Sequence, residues 1–299
     1  MRGRGRSPPV LFRFRFRFRF RFRFRRANAA ARPVWRSCPP VRAGRPGTRR
    51  GGPTLEAMFS DRGPSLTELA VQALSSVERG YDLLAPTFDA TPFRTPDAFL
   101  DAVVAAVGPL GPFRAGLDLC CGTGAGVGAL RRVCGERVTG VDFSAGMLAR
   151  AASRFADAAG PPAVEWVRAD ARALPFDGAF DIVTSFGAFG HFLPAERPAV
   201  FAGVRAALRP GGLFAFPLPA PARATSPAYW ATACFDAAMR VRNAVWRPRF
   251  VMYYRTFGLA DVLAELADCG FSVELRPAES FGRRADGAPR CVTVLARAA

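Results

Sequence analysis

Fourteen residues, Ala115 to Gly128 (A-G-L-D-L-C-C-G-T-G-A-G-V-G), constrain the fold of this chain more than any other stretch. Gly116 to Cys120 reads as the end of a short buried strand, Gly122-Thr123-Gly124 as a tight turn, and Ala125 to Val133 as a helix entered directly from that turn. Glycines let the backbone turn sharply and approach a ligand closely, and the first N–H groups of a helix attract an anion. The loop therefore implies a nucleotide-like or carboxylate-bearing ligand. A glycine loop alone is common, but here Asp118 lies four residues before the first glycine of the turn, and a second acid, Asp142, follows.

Arg137 to Phe143 reads as a second strand with Asp142 at its carboxyl end, 18 residues after Gly124. Open parallel sheets bind ligands at the carboxyl ends of their strands, and an acid there can accept hydrogen bonds from both hydroxyls of a ribose. A helix (Ala145 to Ala159) leads to a third strand, Val164 to Ala169, ending at Asp170, which is placed to accept from an exocyclic amine. Asp181 to Phe186 forms the fourth strand, and a glycine-bearing loop runs from it to His191. Pro198 to Leu208 is a helix, which Arg209-Pro210-Gly211-Gly212 turns into a fifth strand, Leu213 to Pro217. A helix (Leu259 to Cys269) and two strands (Phe271 to Arg276, Cys291 to Ala296) close the chain, and their hairpin requires an antiparallel strand. The expected fold is α/β: a Rossmann-like, doubly wound, mainly parallel seven-stranded sheet with an antiparallel C-terminal strand.

Charge is distributed unevenly. The 299 residues carry a formal net charge of +18, yet the first 57 hold 17 Arg against one acid, so the remainder is almost neutral. From Phe12 to Arg25, Phe and Arg alternate strictly, which in an extended chain gives one aromatic and one basic face suited to RNA or acidic lipid. A two-codon repeat translated from upstream of the true start explains the same pattern more simply, with Met58 as the candidate initiator. Residues 1–57 are accordingly expected to be a disordered low-complexity segment, and 58–299 the folded domain. The chain contains no lysine, which excludes Schiff-base chemistry through lysine. Seven cysteines without C-x-x-C spacing fit reduced thiols in a cytoplasmic protein and indicate no metal. No run of 18 apolar residues suggests a membrane span.

Two further segments flank the alternating core. Ser65 to Leu84 has the apolar pattern of an amphipathic helix ending near Gly80, and Pro96 to Val107 that of a second helix. Together they would form an N-terminal helical lid, with Tyr81 and Phe88 either over the ligand or in ordinary packing. Residues 217–249, which carry Tyr229, Trp230, Phe235, Met239 and Trp246, form either an aromatic-rich cap over a substrate or packing against the sheet edge.

Five blocks in fixed order then carry a family resemblance: D-L-C-C-G-T-G at 118 to 124, V-D-F-S at 141 to 144, A-D-A-R-A-L-P-F-D-G-A-F-D at 169 to 181, L-R-P-G-G at 208 to 212, and the run from Tyr254 to Val273. The chain from about Tyr81 onward resembles the class I S-adenosylmethionine-dependent methyltransferases of the small-molecule type. The resemblance implies that Asp118 and the backbone of Cys120, Gly122, Thr123 and Gly124 hold the methionine end of S-adenosylmethionine. By the same carry-over Asp142 takes the ribose hydroxyls, Asp170 with the Ala171 N–H the adenine, and Phe143 and Met147 flank the ring. Ser185 and Phe186 would line the passage from cofactor to substrate. Cys120 stands where the family commonly has glycine, which is tolerated if that residue keeps an ordinary backbone conformation.

The implied chemistry is in-line transfer of a methyl group to a small-molecule acceptor, chiefly by alignment. His191, the single histidine, is the one candidate base, or else a packing or capping residue. Neither a nucleic acid nor a membrane is expected as partner: Ser185-Phe186-Gly187-Ala188 lacks the Asn/Asp-Pro-Pro-aromatic grip on a flipped base, and the domain is not basic. Two alternatives remain: an inactive methyltransferase-like binding protein, and a nicotinamide-dependent oxidoreductase through the loose fingerprint Gly124-x-Gly126-x-x-Ala129. Oligomeric state is not written in the sequence.

Overall fold

A computed structural model describes residues 66–299 apart from Pro92, Ala159 and Thr256. The Arg/Phe segment and the candidate start at Met58 lie outside the described residues. Seven strands form one sheet: β1 (Phe113–Leu119), β2 (Cys134–Asp142), β3 (Ala163–Arg168), β4 (Phe180–Ser185), β5 (Leu208–Pro219), β6 (Phe271–Pro277) and β7 (Cys291–Ala298). Their order is β3-β2-β1-β4-β5-β7-β6. All pairings are parallel except those of β7, which runs antiparallel to both neighbours, as the C-terminal hairpin requires.

Alternating side chains divide the core between the two faces of the sheet. On β5, Leu213 and Ala215 join Val103, Val107, Leu130 and Ile182 under one layer of helices. Phe214 and Phe216 join Phe189, Phe201, Val262 and Leu266 on the other. Phe189 is the hub of that second face, stacked on Phe257 with ring centroids 4.1 Å apart and planes within 5°. The helices are α1 (Leu66–Leu74), α2 (Val77–Leu84), α3 (Asp97–Val107), α4 (Ala125–Leu130), α5 (Ala145–Arg154), α6 (Arg197–Ala207), α7 (Pro227–Val245) and α8 (Leu259–Asp268). Among the described residues no helix is long and apolar enough to cross a membrane.

Two local expectations are corrected. The first helical stretch is not continuous to Gly80 but breaks at Ser75-Ser76, because the Ser76 hydroxyl accepts the Arg79 N–H and starts α2 afresh. Gly80 lies inside α2, where a Cβ would sit 2.8 Å from a Phe250 ring carbon, so its role is close packing rather than termination. Arg209-Pro210-Gly211-Gly212 does not precede the fifth strand. It forms an irregularity within it: Phe180 pairs with Leu208 and Ile182 with Leu213, the extra residues being accommodated by Gly211 at φ 75°.

Candidate active site

The carboxyl ends of β1, β2, β3 and β4 open into a cleft of about 820 Å³, within the range that holds a small ligand. Its floor is the glycine loop, whose alternate residues Cys120, Gly122 and Gly124 all have positive φ, at 56°, 51° and 86°. Cys120 thus departs from the expectation of an ordinary backbone. A side chain in this region costs roughly 1–2 kcal/mol, and a tight turn immediately after a buried strand leaves no other path. Burial and the nearby carboxylates push both the Cys120 and Cys121 thiols well above their usual range, so neither is a nucleophile at neutral pH.

Two buried carboxyl groups face this loop. Asp118, at the end of β1, is 2% exposed and accepts the Thr184 hydroxyl at 3.2 Å. Burial pushes its pKa up to about 8. Its side chain lies against the backbone of Gly126 in α4, where a Cβ would stand 2.3 Å from Oδ2. Gly126 is therefore required by the acid, a function the sequence left unassigned.

Asp142, at the end of β2, accepts the Gly122 N–H on Oδ2 and the Ser144 N–H on Oδ1, both at 2.9 Å. Burial raises its pKa, and these backbone donors pull it back. Each carboxylate oxygen has lone-pair capacity left over for a hydroxyl.

The other predicted residues divide into those that line the cleft and those that build it. Phe143, Met147, Asp170, Ala171 and Phe186 line it, together with Gly122 and Thr123. Asp170 is bound to the Arg172 guanidinium through both oxygens and also accepts the Arg172 N–H, which holds its carboxyl below the usual range. Much of its acceptor capacity is therefore already used. Ser185 is buried and donates to the Leu119 carbonyl at 3.1 Å, tying β4 to β1. Gly124 caps α4, and a Cβ on it would meet the Phe155 and Trp166 rings at 2.9 and 3.0 Å. Both shape the cleft from behind its wall.

His191 follows β4 in a short 3-10 turn and lines the cleft. Its Nδ1 lies 2.8 Å from the Val251 carbonyl and its Nε2 2.8 Å from the Tyr81 hydroxyl. A carbonyl only accepts, so Nδ1 carries the proton and Nε2 receives the Tyr81 O–H. Burial lowers the His191 pKa and raises that of Tyr81, the latter also through the Asp142 charge. The histidine therefore reaches the cleft through Tyr81.

Sequence reasoning missed the acids that fasten the N-terminal helices to the loops. Asp82 accepts the Ser144 hydroxyl at 2.6 Å and the Gly146 N–H at 2.8 Å, at the start of α5. Asp89 accepts the Thr123 hydroxyl at 2.7 Å, and Glu78 pairs with Arg168 at 2.5 Å. The spacing Tyr81-Asp82…Phe88-Asp89 was the available signal. From 217–249 the cleft receives Arg249 and none of Tyr229, Trp230, Phe235, Met239 and Trp246, so the expected aromatic cap does not form its lining; Val77, Phe93, Phe192 and Leu193 are among its apolar residues.

The chain is similar in part to known methyltransferases. Residues 117–212 match the family model described as "Methyltransferase domain". An uncharacterized methyltransferase of Synechocystis sp. is 37% identical over 100 residues, 33% of this chain and 44% of that protein. A ubiquinone/menaquinone biosynthesis C-methyltransferase of Desulfotalea psychrophila is 32% identical over 148 residues, 48% of each chain. Among solved structures, an S-adenosylmethionine-dependent methyltransferase from Clostridium acetobutylicum aligns with a TM-score of 0.49 at 15% identity, covering 68% of this chain and 91% of that one. The chain spans less than half the length of these two curated relatives.

Proposed function

We propose that this chain, which belongs to the class I S-adenosylmethionine-dependent methyltransferases, transfers a methyl group to a small, largely apolar acceptor by in-line displacement. The observation that carries the reading is one cleft lined by buried acids and a left-handed loop, by apolar side chains and by a tyrosine–histidine pair.

The acids and the loop suit S-adenosylmethionine. Asp118, desolvated and with no cation beside it among the described residues, fits an ammonium group. Asp142 fits a vicinal diol, and Phe143 and Met147 fit the faces of a base. When bound, S-adenosylmethionine supplies a methyl group already activated by its sulfonium. What is left to the protein is alignment and, where the acceptor loses a proton, a place to put it.

Tyr81 and His191 provide that place. A hydroxyl on the acceptor can donate to Tyr81 Oη while Tyr81 passes its own proton to His191 Nε2, and the Val251 carbonyl holds the imidazolium through Nδ1–H. His191 is then a positioning residue and proton reservoir. The relative from Desulfotalea is named for quinone biosynthesis, and the apolar side chains of the cleft support the same class here: a hydroxylated ring of the quinol type.

The test is transfer of labelled methyl from S-adenosylmethionine to a panel of quinols and hydroxylated aromatics. Tyr81→Phe is expected to lower kcat roughly 10²- to 10⁴-fold, the usual range for loss of a general acid–base group, with little change in cofactor KM. A folded protein that binds the cofactor yet methylates no member of the panel would overturn the acceptor class. An unchanged kcat in Tyr81→Phe would overturn the proton path.

A further inference from the structure

Helix α7 turns an apolar face outward. Its buried side chains are Asp236, Met239 and Asn243, which pack toward Phe250 and Tyr253. The opposite face runs through Trp230, Cys234, Ala237, Val241 and Val245, at helical spacing and without a charge. Val245 is 77% exposed, Val241 65% and Trp230 61%. At the C-terminal end of α7 the face is extended by Trp246, whose Nε1–H donates to the Leu74 carbonyl, and by the exposed side chains of Val71 and Leu74 on α1. Singly exposed apolar residues are ordinary, but a contiguous stripe about 22 Å long on one helix is an interaction surface.

Charge identifies what fits it. Arg240, Arg242, Arg247 and Arg249 follow the C-terminal half of α7 and its exit. The one carboxylate in residues 227–249, Asp236, is turned inward and accepts the Tyr254 and Arg255 N–H groups. The Arg242 guanidinium is directed at the Ser75 and Pro248 carbonyls, and Arg240 lies over the Tyr253 ring. The surface is thus apolar, flanked by two tryptophans, and edged with cations whose local partners are carbonyls and a ring. It also approaches the cleft: Ser76 and Val77 lie two and three residues past Leu74, Arg249 three past Trp246, and all three line the cleft.

We infer that the outer face of α7, with the end of α1, seats the protein on an anionic lipid surface, with the cleft mouth at the headgroup boundary. Amphipathic helices with tryptophan on the apolar side and arginine at its edge bind in this plane. Seating is independent of methyl transfer. Delivery of an apolar acceptor from the lipid phase into the cleft rests on the function proposed above. The surface departs from the expectation that the folded domain has no membrane partner.

The test is flotation of the full chain with vesicles of phosphatidylcholine, with and without phosphatidylglycerol, in the absence of S-adenosylmethionine, so that its failure is separate from failure of catalysis. Binding to the anionic vesicles is expected, with at least a tenfold loss in V241D/V245D and no change in the thermal midpoint of that variant. A blue shift of tryptophan fluorescence on binding should shrink in W230F/W246F. If V241D/V245D binds as the wild type does, binding lies elsewhere in the chain and the inference fails. Absence of binding by the wild type also overturns it. So does sedimentation showing that the double variant converts a dimer to a monomer with vesicle binding unaltered, which would identify a second copy as the occupant.

Discussion

The raised pKa of Asp118 makes a quantitative demand on stability. A carboxyl that titrates near 4 in the unfolded chain and at about 8 in the folded protein binds an extra proton on folding throughout that interval. Its stabilising contribution is complete below the unfolded pKa and is lost as pH rises through the folded one. Between pH 5.5 and 7.5 the loss is roughly 2–3 kcal/mol. Asp118→Asn preserves an acceptor for the Thr184 hydroxyl and removes the proton from the balance. In urea titrations at the two pH values, the variant should gain roughly 2–3 kcal/mol on the wild type at the higher pH, while groups common to both cancel. Parallel pH dependences would refute the reasoning by showing that Asp118 ionises normally. The same acid predicts that wild-type affinity for S-adenosylhomocysteine rises from pH 6 to 8, since an ammonium prefers the carboxylate, and that the variant shows no such rise.

Other substitutions test separate parts of the account. Gly126→Ala places a methyl 2.3 Å from the Asp118 carboxylate, so it should destabilise by about 1–3 kcal/mol in urea unfolding, although glycine to alanine in an open helix position stabilises by up to about 1 kcal/mol; a gain would show that Asp118 lies elsewhere. Asp82→Ala removes two hydrogen bonds to the start of α5 and should speed amide exchange at Gly146 and along residues 81–90, whereas unchanged exchange would mean the N-terminal helices are held by packing alone. Phe189→Ala empties the centre of an aromatic cluster that includes Phe216 and Phe257 and should cost about 3–5 kcal/mol, read from the urea midpoint.

The sheet was legible because strand ends are punctuated by chemistry. Asp118, Asp142 and Asp170 each mark a carboxyl terminus, and the glycine loop sets the first crossover. Contacts between residues distant in sequence were not legible. The Tyr81–His191 hydrogen bond joins residues 110 apart, and Val251 completes it from a third segment, so no local pattern announces it. The Asp118–Gly126 approach was hidden for a different reason: a glycine after a turn already has a conformational explanation, and only the fold reveals the carboxylate beside it. Cys120 was misjudged because its side chain suggested ordinary backbone, when the turn imposes φ 56° on whatever residue stands there. Residues 217–249 read as an aromatic cap over a substrate or as packing on the sheet edge, and their spacing did not reveal that Trp230, Val241 and Val245 lie exposed on one helix, away from the cleft lining.

The most direct measurement is calorimetric titration of S-adenosylhomocysteine into the full chain, with Asp142→Ala alongside. The account predicts micromolar or tighter binding by the wild type and at least a tenfold loss in the variant, both proteins being fully folded at the temperature of the titration. A folded wild-type protein that takes up no S-adenosylhomocysteine, or a variant that binds it equally well, would contradict the assignment of this cleft.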